Sequence, residues 1–133
     1  MPQQPRILVV EDDEPTREVV LIKLDKAGIT CEFAKDGKEG MEKLESGIAF
    51  DGVLLDIRMP NWDGFTFMEA KNTNPHLKDV PVIVFSNFSQ PEFVARAVAL
   101  GAKGYLVKAQ HTLQDVVDEV QKCVVGGVCT IDG

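Results

Sequence analysis

The chain has 133 residues, which suits one domain of common size, and 44% of them are hydrophobic. A chain of this length can bury roughly two thirds of its unfolded surface, so it needs no metal or disulfide in order to fold. Fourteen basic against twenty-one acidic residues give a net charge of −7, which argues against a general nucleic-acid binder because such proteins need a basic surface.

Three cysteines, Cys31, Cys123 and Cys129, are present, and no two of them form a C-x-x-C pair. The odd number and the spacing favour thiols in a reducing cytosol over a redox or metal role. No apolar stretch is long enough to span a membrane, and the first residues, MPQQPR, are not typical of a signal peptide. We therefore expect a cytoplasmic protein that makes no membrane contact.

Short apolar runs alternate with helical patterns along the chain. Residues 7–10 form the first run, and a helical pattern follows at about 15–27, with Gly28 as its end signal. Residues 29–33 alternate between apolar and polar, which predicts a half-exposed strand. Asp36 is then placed to cap a second helix.

The third and fourth runs, residues 53–55 and 82–85, are also followed by helical patterns. Asp63 is expected to open the third helix, which ends near position 72. Ser89 and Glu92 have the spacing of a capping box, which predicts that Ser89 opens the fourth helix and that this helix ends near position 101.

The fifth run, residues 105–107, precedes a weaker capping box, Thr112 with Asp115, and a last helix to about position 125, ended by Gly126-Gly127. Five strand–helix units in strict alternation predict an α/β protein with a parallel sheet covered by helices on both faces. We expect a single domain over residues 1–133, with a core at about 5–125 and a short tail at 126–133.

Four of the apolar runs are followed at once by polar side chains. Glu11 and Asp12 follow the first run, Asp56 the third, Ser86 the fourth and Lys108 the fifth. Because all strands of a parallel sheet end at the same edge, where open α/β sheets bind ligands, these residues should converge.

Each of these residues also has an ordinary structural interpretation when it is taken alone. Acidic residues before a helix favour its dipole, and Asp56 could simply end a strand at a turn. Ser86 could be a satisfied hydroxyl and Lys108 a solvated strand end. The joint arrangement is what favours a functional site, since four separate strands contribute groups suited to one chemistry.

Clustered carboxylates repel one another, so a cation should lie among them, and oxygen ligands suit Mg²⁺. A metal held by Asp12 and Asp56 would leave positions open for a phosphoryl group, whose charge Lys108 and Ser86 could neutralise. A carboxylate can itself be the nucleophile and form an aspartyl phosphate. Asp56, which closes the most apolar strand, is the best candidate for that role.

Four segments, "ILVVEDDEP", "VLLDIRMPNWDG", "VIVFSN" and "GAKGYLVK", occur in the order and spacing of a known family. With them, almost the whole chain resembles a response-regulator receiver domain, in particular the single-domain type of chemotaxis regulators. The resemblance implies a flavodoxin-like three-layer sandwich that is doubly wound around a five-stranded sheet of order 2-1-3-4-5.

The resemblance also implies residue roles. Asp56 is the expected phosphoacceptor, and the Mg²⁺ site, which Mn²⁺ could also fill, would comprise Asp56, Asp12, Glu11 through water and the backbone carbonyl of Arg58. Ser86 and Tyr105 are the expected switch residues, and Lys108 is the expected active-site lysine.

The segment after Lys108 departs from the family pattern, since Ala109 stands where a proline is usual. The family's bond at this position is commonly cis, and a cis bond before alanine costs roughly 2.5–4 kcal/mol. The peptide is therefore either trans in a differently shaped loop or strained. Arg58 and Asn87 occupy variable positions beside the site and could tune the phosphoryl lifetime.

We expect a phosphorelay switch rather than an enzyme acting on other substrates. A histidine kinase or phosphotransfer protein would phosphorylate Asp56, and the surface of the fourth helix, fifth strand and fifth helix would then control an effector protein. A phosphorylation-dependent dimer is a further expectation, and nucleic acid and membrane are not expected partners.

Two other functions are less well supported by the sequence. A constitutive, non-phosphorylated interaction module would not require the full set of five polar residues. A magnesium phosphatase commonly places a second acid two residues after its nucleophile, where this chain has Arg58. The short segment after the last helix leads us to expect a stand-alone receiver rather than a fragment of a larger regulator.

Overall fold

Five parallel strands form the central layer of the computed structural model, which describes residues 4–125. The strands are β1 (Arg6–Val10), β2 (Thr30–Ala34), β3 (Gly52–Leu55), β4 (Val82–Ser86) and β5 (Gly104–Val107). Their order in the sheet is β2-β1-β3-β4-β5, and every neighbouring pair is parallel. This order confirms the predicted fold.

Helices cover both faces of the sheet and alternate with its strands. They are α1 (Glu14–Lys26), α2 (Gly37–Leu44), α3 (Gly64–Asn72), α4 (Pro91–Ala99) and α5 (Leu113–Val120). A short 3₁₀ turn (Lys108–Gln110) follows β5, and a π-helical segment (Gln121–Val125) continues α5. The predicted helix end at Gly126-Gly127 lies outside the described residues.

The hydrophobic core is divided by the sheet into two clusters. Leu8 and Val10 of β1 lie in one cluster, whereas Ile7 and Val9 lie in the other, because successive side chains of a strand point to opposite faces. The first cluster includes residues of α2, α3 and α4, and the second includes residues of α1 and α5. This division gives three layers, as predicted.

Most of the predicted helix starts are confirmed, but the start of α4 is not. Its N-cap is Gln90, no side chain caps it, and the helix ends at Ala99. Proline suits the first helical position because its φ angle is already helical and its missing N–H would have no helical partner. Pro91 therefore sets the start of α4 after Ser89, so the prediction that Ser89 caps this helix is wrong.

The cysteines differ in their chemistry. Cys31 is a free, half-buried thiol, and burial, with a smaller effect of Asp25, raises its pKa to about 12. Cys123 is disulfide-bonded, so the prediction of a free thiol is wrong for this residue. Cys129 lies outside the described residues. No helix between residues 4 and 125 is both long and apolar enough to cross a bilayer.

Asp36 joins the start of α2 to the loop that follows β3. Its Oδ1 accepts a hydrogen bond from the Glu39 backbone N–H at 2.8 Å, and its Oδ2 accepts one from Asn61 Nδ2 at 2.7 Å. Asn61 has a φ of 65°, in the left-handed region that asparagine tolerates. The Gly37 N–H donates to the Trp62 carbonyl at 3.1 Å, so a second contact holds the same loop.

We predict that Asp36→Ala destabilises the protein by about 1–3 kcal/mol, because it removes a helix cap and leaves the Asn61 amide without its acceptor. Burial opposes ionisation of Asp36, but hydrogen bonds from Glu39 and Asn61 outweigh it and hold its pKa below the usual value of 3.8. A lowered carboxyl pKa stabilises the fold above the unfolded-state value, and this stabilisation is lost as the pH falls through the folded-state value.

Urea denaturation at pH 7 and at a series of pH values below 4 measures the effect. The difference in the free energy of unfolding between the wild type and Asp36→Ala should be largest at pH 7 and decrease as the pH is lowered. Glu42→Ala, which removes an exposed carboxylate from the same helix, is the matched control. An equal loss of unfolding free energy in the two variants would contradict the role of Asp36 as helix cap and acceptor of the Asn61 amide.

Candidate functional site

The carboxyl ends of β1, β3, β4 and β5 meet around a cavity of about 430 Å³. Its lining comprises Asp12, Asp13, Thr16, Asp56, Arg58, Ser86, Asn87, Phe88 and Lys108. Five predicted site residues, Asp12, Asp56, Arg58, Ser86 and Lys108, are therefore brought together. Glu11 lies beside them, in contact with Lys108, and Tyr105 is buried in the neighbouring core.

Three carboxylates form an acidic cluster at this edge of the sheet. Glu11, Asp12 and Asp56 each offer one oxygen atom, and these atoms all lie within 4.8 Å of one another. Glu11 and Asp56 are buried, and Asp12 is exposed. Burial and the adjacent Asp56 raise the pKa of Glu11 to about 8, although Lys108 acts in the opposite direction. Closely spaced carboxylate oxygens of this kind fit a hard divalent cation such as Mg²⁺.

Lys108 supplies a positive charge to the cluster. Its Nζ lies 2.5 Å from Glu11 Oε1 and 3.4 Å from Asp56 Oδ2. Burial disfavours the ammonium form, but the hydrogen bond to Glu11 and the charge of Asp56 outweigh burial and raise the lysine pKa. Lys108 is thus a cation that touches two of the three acids.

Asp56 is oriented by the backbone around it. Its Oδ1 accepts a hydrogen bond from the Ile57 N–H at 2.8 Å, and its Oδ2 faces Lys108. Gly64, at the start of α3, packs against the Asp56 backbone: a Cβ at this position would lie 2.6 Å from the Asp56 carbonyl oxygen. Only glycine allows this close approach, so the Asp-Gly step does more than start the helix, which sequence reasoning missed.

Ser86 and Tyr105 are connected through the backbone of Phe88. The Phe88 N–H donates to Ser86 Oγ at 3.1 Å, and the Tyr105 hydroxyl donates to the Phe88 carbonyl at 2.6 Å. Tyr105 is only 1% exposed, so its side chain occupies an inward position, and its burial raises the pKa of the phenol. The Phe88 ring stacks on Phe93 of α4, with 4.9 Å between centroids.

Phe88 is a site residue that sequence reasoning missed. The available signal was weak: Phe88 is the one apolar residue in the polar stretch SNFSQ, which begins at Ser86, the last residue of β4. After β5, the Lys108–Ala109 peptide is trans, since residues 4–125 contain no cis bond. The proposed metal contact of the Arg58 carbonyl stays a prediction, although the Arg58 residue does line the cavity.

Comparison with known proteins gives relatives of one kind. A family model described as the response regulator receiver domain matches residues 7–121. A gliding motility regulatory protein of Myxococcus xanthus is 32% identical over 117 residues, which are 88% of this chain and 15% of that protein. The transcriptional regulatory protein QseB of Haemophilus influenzae is 33% identical over 119 residues, 90% of this chain and 52% of that protein.

The chain thus spans about half or less of the length of these curated relatives. Among solved structures, the chemotaxis protein CheY4 of Vibrio cholerae superimposes with a TM-score of 0.82 at 29% identity, covering 90% of this chain and 98% of that one. With the family match over residues 7–121 and the 2-1-3-4-5 sheet, these likenesses show that the chain belongs to the response regulator receiver domain family of two-component systems.

Proposed function

We propose that this receiver domain is a phosphorylation switch in which Asp56 accepts a phosphoryl group from a histidine kinase or a phosphotransfer protein. The observation that carries the proposal is the position of the Asp56 carboxylate. It lies in a cavity of about 430 Å³, oriented by the Ile57 N–H, beside the Lys108 ammonium and within 4.8 Å of two further acids.

In the proposed reaction an Asp56 carboxylate oxygen forms a bond to phosphorus while the bond from phosphorus to the donor's imidazole nitrogen breaks. The Lys108 ammonium lies 3.4 Å from Asp56 Oδ2, beside the carboxylate that would attack phosphorus. The Lys108 ammonium and the Ser86 hydroxyl would neutralise the phosphoryl oxygens. Mg²⁺, or Mn²⁺ in its place, would be held by Asp12, Asp56, Glu11 and the Arg58 carbonyl and would add charge neutralisation.

The same site would also hydrolyse its own aspartyl phosphate, and no other substrate is proposed. Arg58 and Asn87 line the cavity, where they could limit the access of water to the phosphoryl group. We infer that their side chains set the phosphoryl lifetime. A net charge of −7 supports protein rather than nucleic-acid partners, and a cytoplasmic location would match such donors.

The proposed output begins at Ser86. A phosphoryl group on Asp56 adds negative charge, towards which the Ser86 hydroxyl would move. Ser86 Oγ accepts a hydrogen bond from the Phe88 N–H, and Phe88 contacts both Tyr105 and Phe93. The movement of Ser86 would therefore reach β5 and α4. We propose that the surface of α4, β5 and α5 then controls an effector protein, and that phosphorylation could also favour a dimer.

We predict that acetyl phosphate with Mg²⁺ labels the wild type with one phosphoryl group and that Asp56→Asn is not labelled, because the amide is not a nucleophile. Intact-protein mass spectrometry measures the label. Asp79→Asn, in an exposed loop outside the cavity, is the control and should be labelled like the wild type.

Equal labelling of Asp56→Asn and the wild type would contradict the assignment of the nucleophile. A wild type that no phosphodonor labels would instead favour a constitutive interaction module. Sustained turnover of a phosphate ester would favour a magnesium phosphatase.

A second prediction concerns the protein donor, for which α1 offers an apolar stripe beside the cavity. Thr16 lines the cavity, and Val19 and Ile22 follow at three-residue intervals, 46% and 56% exposed. We predict that the double substitution Val19→Asp with Ile22→Asp slows transfer from a kinase phosphohistidine by roughly tenfold or more, as expected for buried apolar contacts of an interface.

Labelling by acetyl phosphate should be unchanged, because this small donor needs no protein contact. Both rates are measured with a kinase that phosphorylates the wild type. Val98→Asp, on α4 and 45% exposed, is the control. Equal losses with both donors would argue against α1 as the donor surface.

A further inference from the structure

Arg17 of α1 contacts the backbone that carries the acidic pair. Its Nη1 donates a hydrogen bond to the Glu11 carbonyl oxygen at 3.0 Å. Its guanidinium lies over the ring of Phe33, with 4.8 Å from Cζ to the ring centroid. Phe33 is a large apolar residue on the edge strand β2, yet 45% of it is exposed. The ring therefore provides a support for Arg17 at the surface rather than a filler of the core.

The Glu11 residue is held from two sides. Its N–H donates to the Ala34 carbonyl at the end of β2, at 3.0 Å, and its carbonyl accepts from Arg17. That carbonyl belongs to the same planar peptide group as the Asp12 N–H. Fixing the carbonyl therefore fixes the direction in which the chain enters Asp12, whose exposed carboxylate is one of the three clustered acids.

We propose that Arg17, supported by Phe33, is a positioning residue that directs Asp12 towards the cation site and so raises the affinity for Mg²⁺. The inference rests on the proposed magnesium site. It names two residues of α1 and β2 that do not line the cavity themselves.

The proposed role of Arg17 and simple electrostatics predict opposite changes in Mg²⁺ affinity when Arg17 is removed. Arg17 is a cation, and a cation near the acidic cluster repels Mg²⁺. Removing its charge should therefore tighten Mg²⁺ binding if charge alone mattered. If Arg17 acts by orienting Asp12, its removal should weaken binding in spite of the more negative site.

Isothermal titration calorimetry of the purified full chain with MgCl₂ distinguishes repulsion of Mg²⁺ by the Arg17 charge from orientation of Asp12 by Arg17. We expect Arg17→Met to bind Mg²⁺ roughly tenfold more weakly, a loss typical of residues that orient metal ligands. Phe33→Leu should weaken binding by a smaller factor, and Arg17→Lys should recover part of the loss because it can still donate to the Glu11 carbonyl. In acetyl phosphate labelling, Arg17→Met should need more Mg²⁺ for half-maximal rate but reach the wild-type rate at saturation.

Lys43→Met is the matched control. The Lys43 ammonium lies 5.8 Å from the centroid of the same Phe33 ring and pairs with Glu32, so the substitution makes the same charge change without touching Glu11. Its affinity for Mg²⁺ should be unchanged or slightly higher.

A wild type that binds no Mg²⁺ would overturn the proposed magnesium site itself. If the wild type binds Mg²⁺ and folded Arg17→Met binds it equally well or better, the role of Arg17 is overturned. A loss of the same size in Lys43→Met would overturn it as well. If Arg17→Met does not fold, Phe33→Leu decides, and an unchanged affinity in that variant rejects the proposal.

Discussion

The contact of Lys108 with Glu11 and Asp56 is the interaction on which the site depends. Both carboxylates are buried, and a buried charge is costly unless it is paired. One ammonium shared between two acids, with a third acid beside them, leaves a surplus of negative charge at the edge of the sheet. That surplus of negative charge is what the proposed binding of a divalent cation rests on.

The loops around the site are held by contacts that reach across the fold. Arg17 holds the loop after β1, and Asp36 holds the loop after β3 through Asn61. Gly64 allows α3 to pack directly behind Asp56. The acids are therefore placed by neighbours from α1, α2 and α3 as well as by their own strands. Preorganisation of this kind lets charged groups act without first rearranging.

A short chain of contacts leads away from the site. Ser86, Phe88 and Tyr105 are connected by hydrogen bonds, and Phe88 stacks on Phe93 of α4. Phe88 lines the cavity and also touches the helix that the proposed output uses. A local change of charge at Asp56 thus has a physical route to a surface that lies beyond the cavity.

The sequence by itself determined the strands, most helix starts and the main polar residues of the cavity. Apolar runs mark the buried strands. Helix starts are marked by capping residues, namely Asp36, Asp63 and Thr112. The strands of a parallel sheet must all end at one edge. The predicted start of α4 at Ser89 is wrong because Pro91 stands at the first helical position, where its fixed φ angle begins the helix without a side-chain cap.

Only the tertiary structure decided which distant residues support the site. Arg17 is separated from Phe33 by sixteen positions, and Phe88 from Tyr105 by seventeen, so no local pattern predicts their contacts. Such contacts depend on the order of the strands and on the path of the loops between them, because these bring together residues that the chain keeps apart. The sequence of a strand shows where the strand ends, whereas the fold decides which residues of other elements contact that end.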